Sequence, residues 1–176
     1  MNSFVHSVIG EPAVENLCEI AGNAPPGCFV EFGVYRGGSA IKLAEVARKQ
    51  GRVLYLYDTF QGIPFADDVD SHKTGDFGDT DVDAVRLAIP DAIIVQGVFP
   101  ETLIPMPPIA FVHVDADQYR SVKAACELFP PLMVKGGVML FDDYGCLDGA
   151  TQAVHEHFEN VQKTPHGKAV VVVNAQ

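Results

Sequence analysis

Two short apolar runs that end in carboxylates constrain the fold of this chain most strongly. Residues 111–119 have the sequence Phe-Val-His-Val-Asp-Ala-Asp-Gln-Tyr, and residues 138–144 have the sequence Val-Met-Leu-Phe-Asp-Asp-Tyr. A strand built from either run would be buried, with its acids at the carboxyl end. If the two strands are neighbours, Asp115, Asp142 and Asp143 meet at one rim of a sheet. Because such carboxylates repel one another unless a cation lies among them, the sequence predicts a metal site on an α/β sheet.

Apolar stripes at helical spacing alternate with short apolar runs along the rest of the chain. The predicted helices cover 11–24, 39–49, 80–87, 98–103, 119–134 and 149–158, and the predicted strands cover 28–34, 53–57, 92–95, 110–115, 138–141 and 168–174. A segment around Val161 is a candidate seventh strand. Such alternation predicts an α/β fold with a mostly parallel sheet of six or seven strands and helices on both faces. The last two strands, joined by a turn at His166-Gly167 without a helix, predict one antiparallel strand near the edge.

Details of three predicted helices are specific enough to check. Thr80 is the predicted N-cap of its helix. The segment 98–103 is predicted to start a short helix that ends at the prolines which follow. The helix over 119–134 is predicted to close on Lys135-Gly136-Gly137 in a left-handed stop.

Length and composition suit one domain over residues 1–176, with a short N-terminal helical segment at 1–27. Hydrophobic residues make up 48% of the chain, but no apolar run reaches the roughly 18 residues of a membrane span. The N-terminus lacks a secretory signal, and the scattered cysteines predict reduced thiols in the cytoplasm. The net charge of −11 argues against a nucleic-acid surface. That charge reflects either a solvated acidic surface or, in part, a bound divalent cation.

A glycine-rich turn follows the first predicted strand. Residues 31–39 have the sequence Glu-Phe-Gly-Val-Tyr-Arg-Gly-Gly-Ser, which lacks the GxGxxG spacing of NAD-binding turns. Glycines at such a turn let the backbone approach a ligand closely, although a turn chosen for packing is the alternative. Asp58 ends the second strand, where an acid can accept hydrogen bonds from both ribose hydroxyls of a nucleoside or can simply cap the loop. Gly97 lies at the corresponding end of the third strand.

The acids favour a hard cation such as Mg²⁺, because no His or Cys ligands of a zinc site cluster beside them. Two solvent-exposed acidic loops are the alternative. His113 lies two residues before Asp115 on the same face, where we expect a buried, hydrogen-bonded residue rather than a base. The long segment 59–80 is rich in Gly, Asp and Pro, and a structureless stretch of this length is usually functional or disordered. We expect it to be lid-like, with Phe77 either covering the pocket or simply packing in the fold, and with His72 exposed to solvent rather than reaching the pocket when the segment closes.

These motifs resemble those of the macrocin O-methyltransferase (TylF-like) family of class I S-adenosylmethionine-dependent, Mg²⁺-dependent O-methyltransferases. The resemblance is carried by five segments in register, at 30–40, 57–64, 75–80, 114–121 and 141–145. It implies a Rossmann-like fold and transfer of a methyl group from S-adenosylmethionine to a hydroxyl. It also implies that Asp115, Asp142 and Asp143 hold Mg²⁺ or another hard divalent cation.

The remaining site residues follow partly from this resemblance and partly from positions at the ends of predicted strands. Residues 114–117 also resemble the metal-binding strand of caffeoyl-CoA and catechol O-methyltransferases, whose second aspartate lies near the methionine moiety. Asp115 is the candidate catalytic proton acceptor, since it could contact both metal and hydroxyl. The predicted cofactor contacts are Glu31, Gly33, Gly37, Ser39, Asp58, Thr59, Gly97, Phe99 and Asp117.

One departure from the family concerns the acceptor. Family members usually carry a long portion before the glycine turn, whereas this chain has 27 residues before its first strand. The acceptor pocket is therefore open, completed by a partner subunit as in a homodimer, or covered by the 59–80 segment. The acceptor itself is expected to be a small molecule such as a sugar, a catechol or another natural product. The alternative functions are a non-catalytic, accessory S-adenosylmethionine-binding protein and, less well supported, an NAD(P)-dependent oxidoreductase.

Overall fold

The computed structural model describes residues 10–173, which form five helices and seven strands. The helices are α1 (Glu11–Asn23), α2 (Gly38–Lys49), α3 (Val82–Ala88), α4 (Tyr119–Leu128) and α5 (Asp148–His157). The strands are β1 (Cys28–Phe32), β2 (Leu54–Asp58), β3 (Ile93–Gln96), β4 (Ile109–Val114), β5 (Met133–Phe141), β6 (Gln162–Lys163) and β7 (Ala169–Val173). Among the described residues, no helix combines the length and apolar character that crossing a bilayer requires.

All seven strands belong to one sheet in the order β3-β2-β1-β4-β5-β7-β6. The first five strands in this order, from β3 to β5, are parallel to one another, while β7 runs antiparallel to both of its neighbours, β5 and β6. The prediction of a mostly parallel sheet with one antiparallel strand beside the edge is therefore confirmed. The segment around Val161 supplies the edge strand β6 and brings the count to seven.

Helices cover both faces of the sheet, which explains why its central strands are uniformly apolar. All six residues of β4 are buried. Successive side chains point to opposite faces, so that Phe111 packs in the core beneath α1 and α2, whereas Val112 packs in the core beneath α4 and α5. This two-sided burial fixes the central strands and leaves only their ends free to form a site.

The prediction of a helix over 119–134 that closes at Lys135-Gly136-Gly137 is wrong. Helix α4 ends at Leu128, a 3₁₀ turn follows at Pro130–Leu132, and β5 already begins at Met133. The two adjacent prolines explain the early end, because neither can donate the N–H that a continuing helix needs. The predicted glycine stop therefore lies inside β5.

Two smaller predictions also fail. Residues 98–103 form turns rather than a helix, after Gly97 at a φ of 133°. Asp81, not Thr80, caps α3, and its carboxylate accepts hydrogen bonds from the backbone N–H groups of Asp83 and Ala84. The Thr80 hydroxyl instead donates to the carbonyl oxygen of Tyr35 in the glycine turn. Thr80, which local sequence rules favour as the N-cap, is thus engaged in a tertiary hydrogen bond instead.

Candidate functional site

A cavity of about 360 Å³ opens at the carboxyl ends of the central parallel strands. Its wall includes Gly33 after β1, Asp58 at the end of β2, Asp115 after β4 and Asp142 after β5. Ligands of open α/β sheets bind at this edge, where the strands end and the chain turns into helices. The sequence-predicted acids and the glycine turn therefore face one common space.

Asp115, Asp142 and Asp143 lie together, as the neighbouring positions of β4 and β5 require. Each offers a carboxylate oxygen, and these oxygens lie within 4.8 Å of one another. Burial raises the pKa of Asp115 well above its ordinary value, and the charges of Asp142 and Asp143 raise it further. Burial, together with the charge of Asp142, also raises the pKa of Asp143 to about 6. The trio is thus an electrostatically costly arrangement when no cation is bound.

The donor set fits a hard divalent cation. Mg²⁺ prefers carboxylate oxygens and retains open positions for water or substrate oxygens, and three clustered aspartates meet that preference. The nearest imidazole, that of His113, is fully buried, and its Nε2 has no hydrogen-bond partner and lies 3.9 Å from Oδ1 of Asp142. Its other nitrogen faces Glu31, so His113 adjoins the cluster without joining its oxygen set.

Asp142 differs from its two neighbours because positive groups face it. The ammonium of Lys168 donates to its Oδ2, and His113 faces its Oδ1. Although burial opposes the shift, these two partners lower the pKa of Asp142. The register of the antiparallel pair produces the lysine contact, since Phe141 is opposite Ala169 and the next residues outward are Asp142 and Lys168.

The glycine turn contacts the acid cluster through Gly33, which packs directly against the backbone of Asp115. Gly33 has a φ of 90°, and a Cβ at this position would lie 1.8 Å from the carbonyl oxygen of Asp115. Only glycine fits both the left-handed conformation and this contact. The turn predicted from residues 31–39 therefore positions the residue that we identify as the candidate proton acceptor.

Asp58 binds the glycine turn directly. Its Oδ2 accepts hydrogen bonds of 2.7 and 2.8 Å from the backbone N–H groups of Val34 and Tyr35, and its Oδ1 accepts one of 2.7 Å from Phe60. A carboxylate has about four acceptor sites, so capacity for a ribose hydroxyl remains. The predicted nucleoside contact stays a prediction, while the structure adds a role in holding the turn.

The other predicted cofactor residues divide into two groups. Thr59, Gly97, Phe99 and Asp117 line the cavity, together with Gly33 and Asp58. Glu31, Gly37 and Ser39 are absent from its wall. Glu31 is fully buried, and its Oε1 accepts a hydrogen bond of 2.6 Å from the Ser39 hydroxyl and lies 3.0 Å from Nδ1 of His113. Glu31, Ser39 and His113 thus form an internal polar network behind the cavity.

Aromatic and strained residues form much of the remaining wall. Phe99 is mostly packed in the core, stacked on Phe129 at 5.0 Å between ring centroids, and reaches the cavity with part of its ring. Tyr35, Phe77 and Asp117 all line the cavity with positive φ values of 50°, 59° and 56°. Non-glycine residues in this conformation cost energy and concentrate at functional sites.

The 59–80 segment, which we call the lid, is folded against the domain and lines part of the cavity. On one side, Asp67 forms a two-pronged ion pair with Arg120 of α4, at 2.7 and 2.6 Å. On the other side, Asp79 accepts a hydrogen bond of 2.8 Å from the Tyr35 hydroxyl and pairs with Arg36. Five residues of the lid line the cavity, namely Gly62, Ile63, Pro64, His72 and Phe77.

Sequence reasoning misses several residues of this site. Lys168 lies in the C-terminal hairpin, and only the strand register brings it to Asp142. Cys146 and Leu147 line the cavity after β5, although no motif marks them. His72, which the sequence predicts to be a solvated lid residue, lies at the wall, with Nε2 3.8 Å from Oδ1 of Asp117.

Comparison with known proteins places this geometry among methyltransferases. A family model described as macrocin-O-methyltransferase (TylF) matches residues 2–169. A Streptomyces olivaceus protein, 8-demethyl-8-(2,3-dimethoxy-alpha-L-rhamnosyl)-tetracenomycin-C 4'-O-methyltransferase, is 30% identical over 180 residues, covering 88% of this chain and 68% of that protein.

Solved structures share the fold. The O-methyltransferase NovP superposes with a TM-score of 0.81 at 22% identity, over 97% of this chain and 83% of that one. An O-methyltransferase from Bacillus cereus, solved in complex with SAH, superposes with a TM-score of 0.61 at 18% identity, over 93% of this chain and 82% of that one. The Rossmann-like fold of class I methyltransferases, expected from the sequence, is confirmed.

Proposed function

This chain belongs to the macrocin-O-methyltransferase (TylF) family, and we propose that it uses Mg²⁺ to methylate a hydroxyl of a small natural product with S-adenosylmethionine as the methyl donor. One observation carries the proposal: the carboxylate trio and the glycine turn face the same cavity. The reaction breaks the bond between sulfur and methyl, forms a bond between oxygen and methyl, and releases S-adenosylhomocysteine and a proton. Asp115 is the proposed acceptor of that proton.

The cofactor half of the cavity lies between the glycine turn and β3. Gly33 lines the cavity at the turn, Asp58 retains free acceptor capacity, and Gly97 and Phe99 line the cavity after β3. The proposal is supported by the SAH complex of the Bacillus cereus protein of the same fold. Asp117, beside the acid cluster, is the proposed contact on the methionine side.

The metal half is formed by Asp115, Asp142 and Asp143. When bound there, a divalent cation supplies a Lewis acid that lowers the pKa of a hydroxyl that coordinates it. The chain's own part is to hold the carboxylates at fixed positions, through the backbone hydrogen bond from Asp115 to Phe32 and that from Asp142 to Val114, at 2.8 and 2.9 Å. Such fixed placement of the reacting groups contributes much of the rate in methyl transfer.

The acceptor is proposed to be a sugar hydroxyl or a comparable alcohol on a natural product. The Streptomyces olivaceus relative acts, by its name, on a rhamnosyl group of a tetracenomycin. The cavity wall near the acids combines apolar side chains, among them Ile63 and Leu147, with the polar carboxylates. That combination suits a ligand with an apolar body and one or two hydroxyls. The lid over this wall is the proposed cover of the pocket.

The test is a methyl-transfer assay over a panel of glycosylated natural products and catechols, with Mg²⁺ and with EDTA. We expect turnover only with Mg²⁺, and we expect Asp142→Asn to abolish it while SAH still binds in calorimetry. Asp148→Asn is the matched control, because Asp148 is exposed on α5 and outside the cavity wall. Activity that survives both EDTA and Asp142→Asn would contradict the metal mechanism. Absence of SAH binding by the wild-type protein would contradict the cofactor assignment.

A further inference from the structure

Lys168 lies beside the acid cluster without belonging to any motif. It is the residue before β7, and the Thr164–Lys168 pair closes the hairpin with a backbone hydrogen bond of 2.8 Å from Thr164 to Lys168. Its side chain is 17% exposed, while that of its partner Asp142 is 8% exposed. The ion pair is thus largely shielded from water, where charge interactions are stronger than at an open surface.

Both oxygens of Asp142 face nitrogen atoms in this arrangement. Oδ2 accepts a hydrogen bond from Lys168, and Oδ1 lies 3.9 Å from Nε2 of His113. The oxygens of Asp115 and Asp143 have no comparable cationic partner among the ion pairs of residues 10–173. The positively charged neighbours of the cluster therefore face one of its three carboxylates, that of Asp142.

We propose that Lys168 is an internal counter-cation of the carboxylate trio, which competes with the divalent cation for Asp142. The inference rests on the proposed function, since it concerns the same metal site. Without a divalent cation, the ammonium neutralises one of three mutually repelling carboxylates. A divalent cation bound at Asp142 would repel the Lys168 ammonium, because both are positively charged. Lys168 must therefore either move away from Oδ2 or lower the affinity of the site for the cation.

Competition predicts an effect opposite to that of an ordinary supporting residue. Removing a group that merely positions Asp142 would weaken cation binding. Removing a competing positive charge should strengthen it, and Lys168→Gln should lower the Kd for Mg²⁺ by roughly tenfold because two like charges in a shielded site repel strongly. The same variant should unfold at a lower temperature in EDTA, since the trio has then lost its counter-charge.

The experiment is calorimetric titration of Mg²⁺ into the protein saturated with S-adenosylhomocysteine, combined with thermal unfolding in EDTA and in Mg²⁺. Lys163→Gln is the matched control, because Lys163 lies in the same hairpin and is exposed, with its ammonium 5.3 Å from the centre of the Tyr144 ring rather than on a carboxylate. Lys168→Arg keeps the positive charge and should keep the wild-type affinity within about threefold.

The outcomes separate the inference from the proposed function. Tighter Mg²⁺ binding by Lys168→Gln, without the same change in Lys163→Gln, supports the competition. Equal or weaker binding by Lys168→Gln overturns it and leaves the proposed metal site standing. If neither the wild-type protein nor Lys168→Gln binds Mg²⁺, the metal part of the proposed function is overturned, and the competition with it.

Discussion

The Oδ1 atom of Asp70 accepts a hydrogen bond of 2.8 Å from the backbone N–H of Tyr119, the first residue of α4. The lid thus caps a helix that begins 49 residues later and directly after the acid-bearing segment. Gly149 of α5 makes room for the contact, since a Cβ there would lie 2.3 Å from the same oxygen. One carboxylate therefore joins the lid to the helices that follow both acid-tipped strands.

Removing this cap should loosen the lid. We expect Asp70→Ala to lower the free energy of unfolding by about 1 kcal/mol, as the loss of a helix cap does. Hydrogen exchange of residues 60–80 should become faster, and SAH should bind more weakly because the cavity loses part of its wall. Asp68→Ala removes the same charge from an exposed residue of the same segment and should leave both measurements unchanged. Equal exchange rates in the two variants would contradict the capping role.

The close approach of Gly33 to Asp115 gives a second prediction. We expect Gly33→Ala to lower the free energy of unfolding by roughly 3 kcal/mol or more, because the added Cβ meets backbone that cannot move without displacing β4. Urea unfolding provides the measurement. Gly51→Ala is the control, since Gly51 also has a positive φ of 65° but no atom within 4 Å of the position that an added methyl would take, and it should lose only about 1 kcal/mol. Similar losses in both would show that conformation alone, and not the contact, requires glycine.

Most of the fold can be predicted from the sequence because its signals are local. The apolar runs of β1, β4 and β5 are largely buried between two layers of helices, so they stand out from composition alone. The end of α4 is harder to predict, because Val134 continues the apolar pattern past the prolines and Lys135-Gly136-Gly137 has the sequence of a helix stop. Tertiary pairing with β4, which places Ile109 opposite Met133 and Phe111 opposite Val138, makes this segment part of a strand, with an irregularity between the two pairs.

The candidate site is only partly accessible to sequence reasoning. Asp115 and Asp142 can be placed together because each follows the end of a predicted strand, and the two strands are neighbours. Lys168 cannot, since its contact depends on the register of an antiparallel pair that joins distant segments. Glu31 belongs to the glycine motif, which favours a cofactor contact, but the fold directs its side chain toward His113 instead.

A third prediction concerns pH in the absence of a divalent cation. Burial raises the pKa of Asp117 from an ordinary 3.8 to about 8, with a further contribution from the charges of Asp143 and Asp142. Between those two values the folded protein binds more protons than the unfolded chain, so its stability falls as the pH rises toward 8. We expect a loss of about 3 kcal/mol between pH 6 and pH 9 from this group, measured by urea unfolding in EDTA.

Asp117→Asn isolates that contribution. Its amide does not titrate, so the variant should lack the share of the pH dependence that comes from Asp117, while His113 and Asp115, whose pKa values are also raised, keep their own shares. The acids whose pKa lies below the ordinary value, such as Asp67 beside Arg120, are ionised throughout this range and add no slope. An identical pH dependence in the wild-type protein and the variant would rule out Asp117 as the source.

The buried pair of Glu31 and His113 gives a fourth prediction, which separates support of the fold from contact with the cofactor. Glu31 is fully buried, hydrogen-bonded to Ser39 and outside the cavity wall. Burial opposes protonation of His113, but the carboxylates of Asp142 and Glu31 raise its pKa to about 10, so it is charged at neutral pH. We expect Glu31→Gln to lower the free energy of unfolding by about 3 kcal/mol, because the variant removes the closer of the two carboxylates that face this buried imidazolium.

Calorimetry with SAH completes that test under conditions where each variant is folded. Since Glu31 does not reach the cavity, the Kd of Glu31→Gln for SAH should stay within about twofold of the wild-type value, below the roughly tenfold loss expected for a hydrogen bond to a charged group. Ser39→Ala is the control for loss of the neighbouring hydrogen bond alone and should cost about 1 kcal/mol of stability. If Glu31→Gln instead folds as stably as the wild-type protein yet binds SAH poorly, the result would favour the direct cofactor contact expected from the glycine motif.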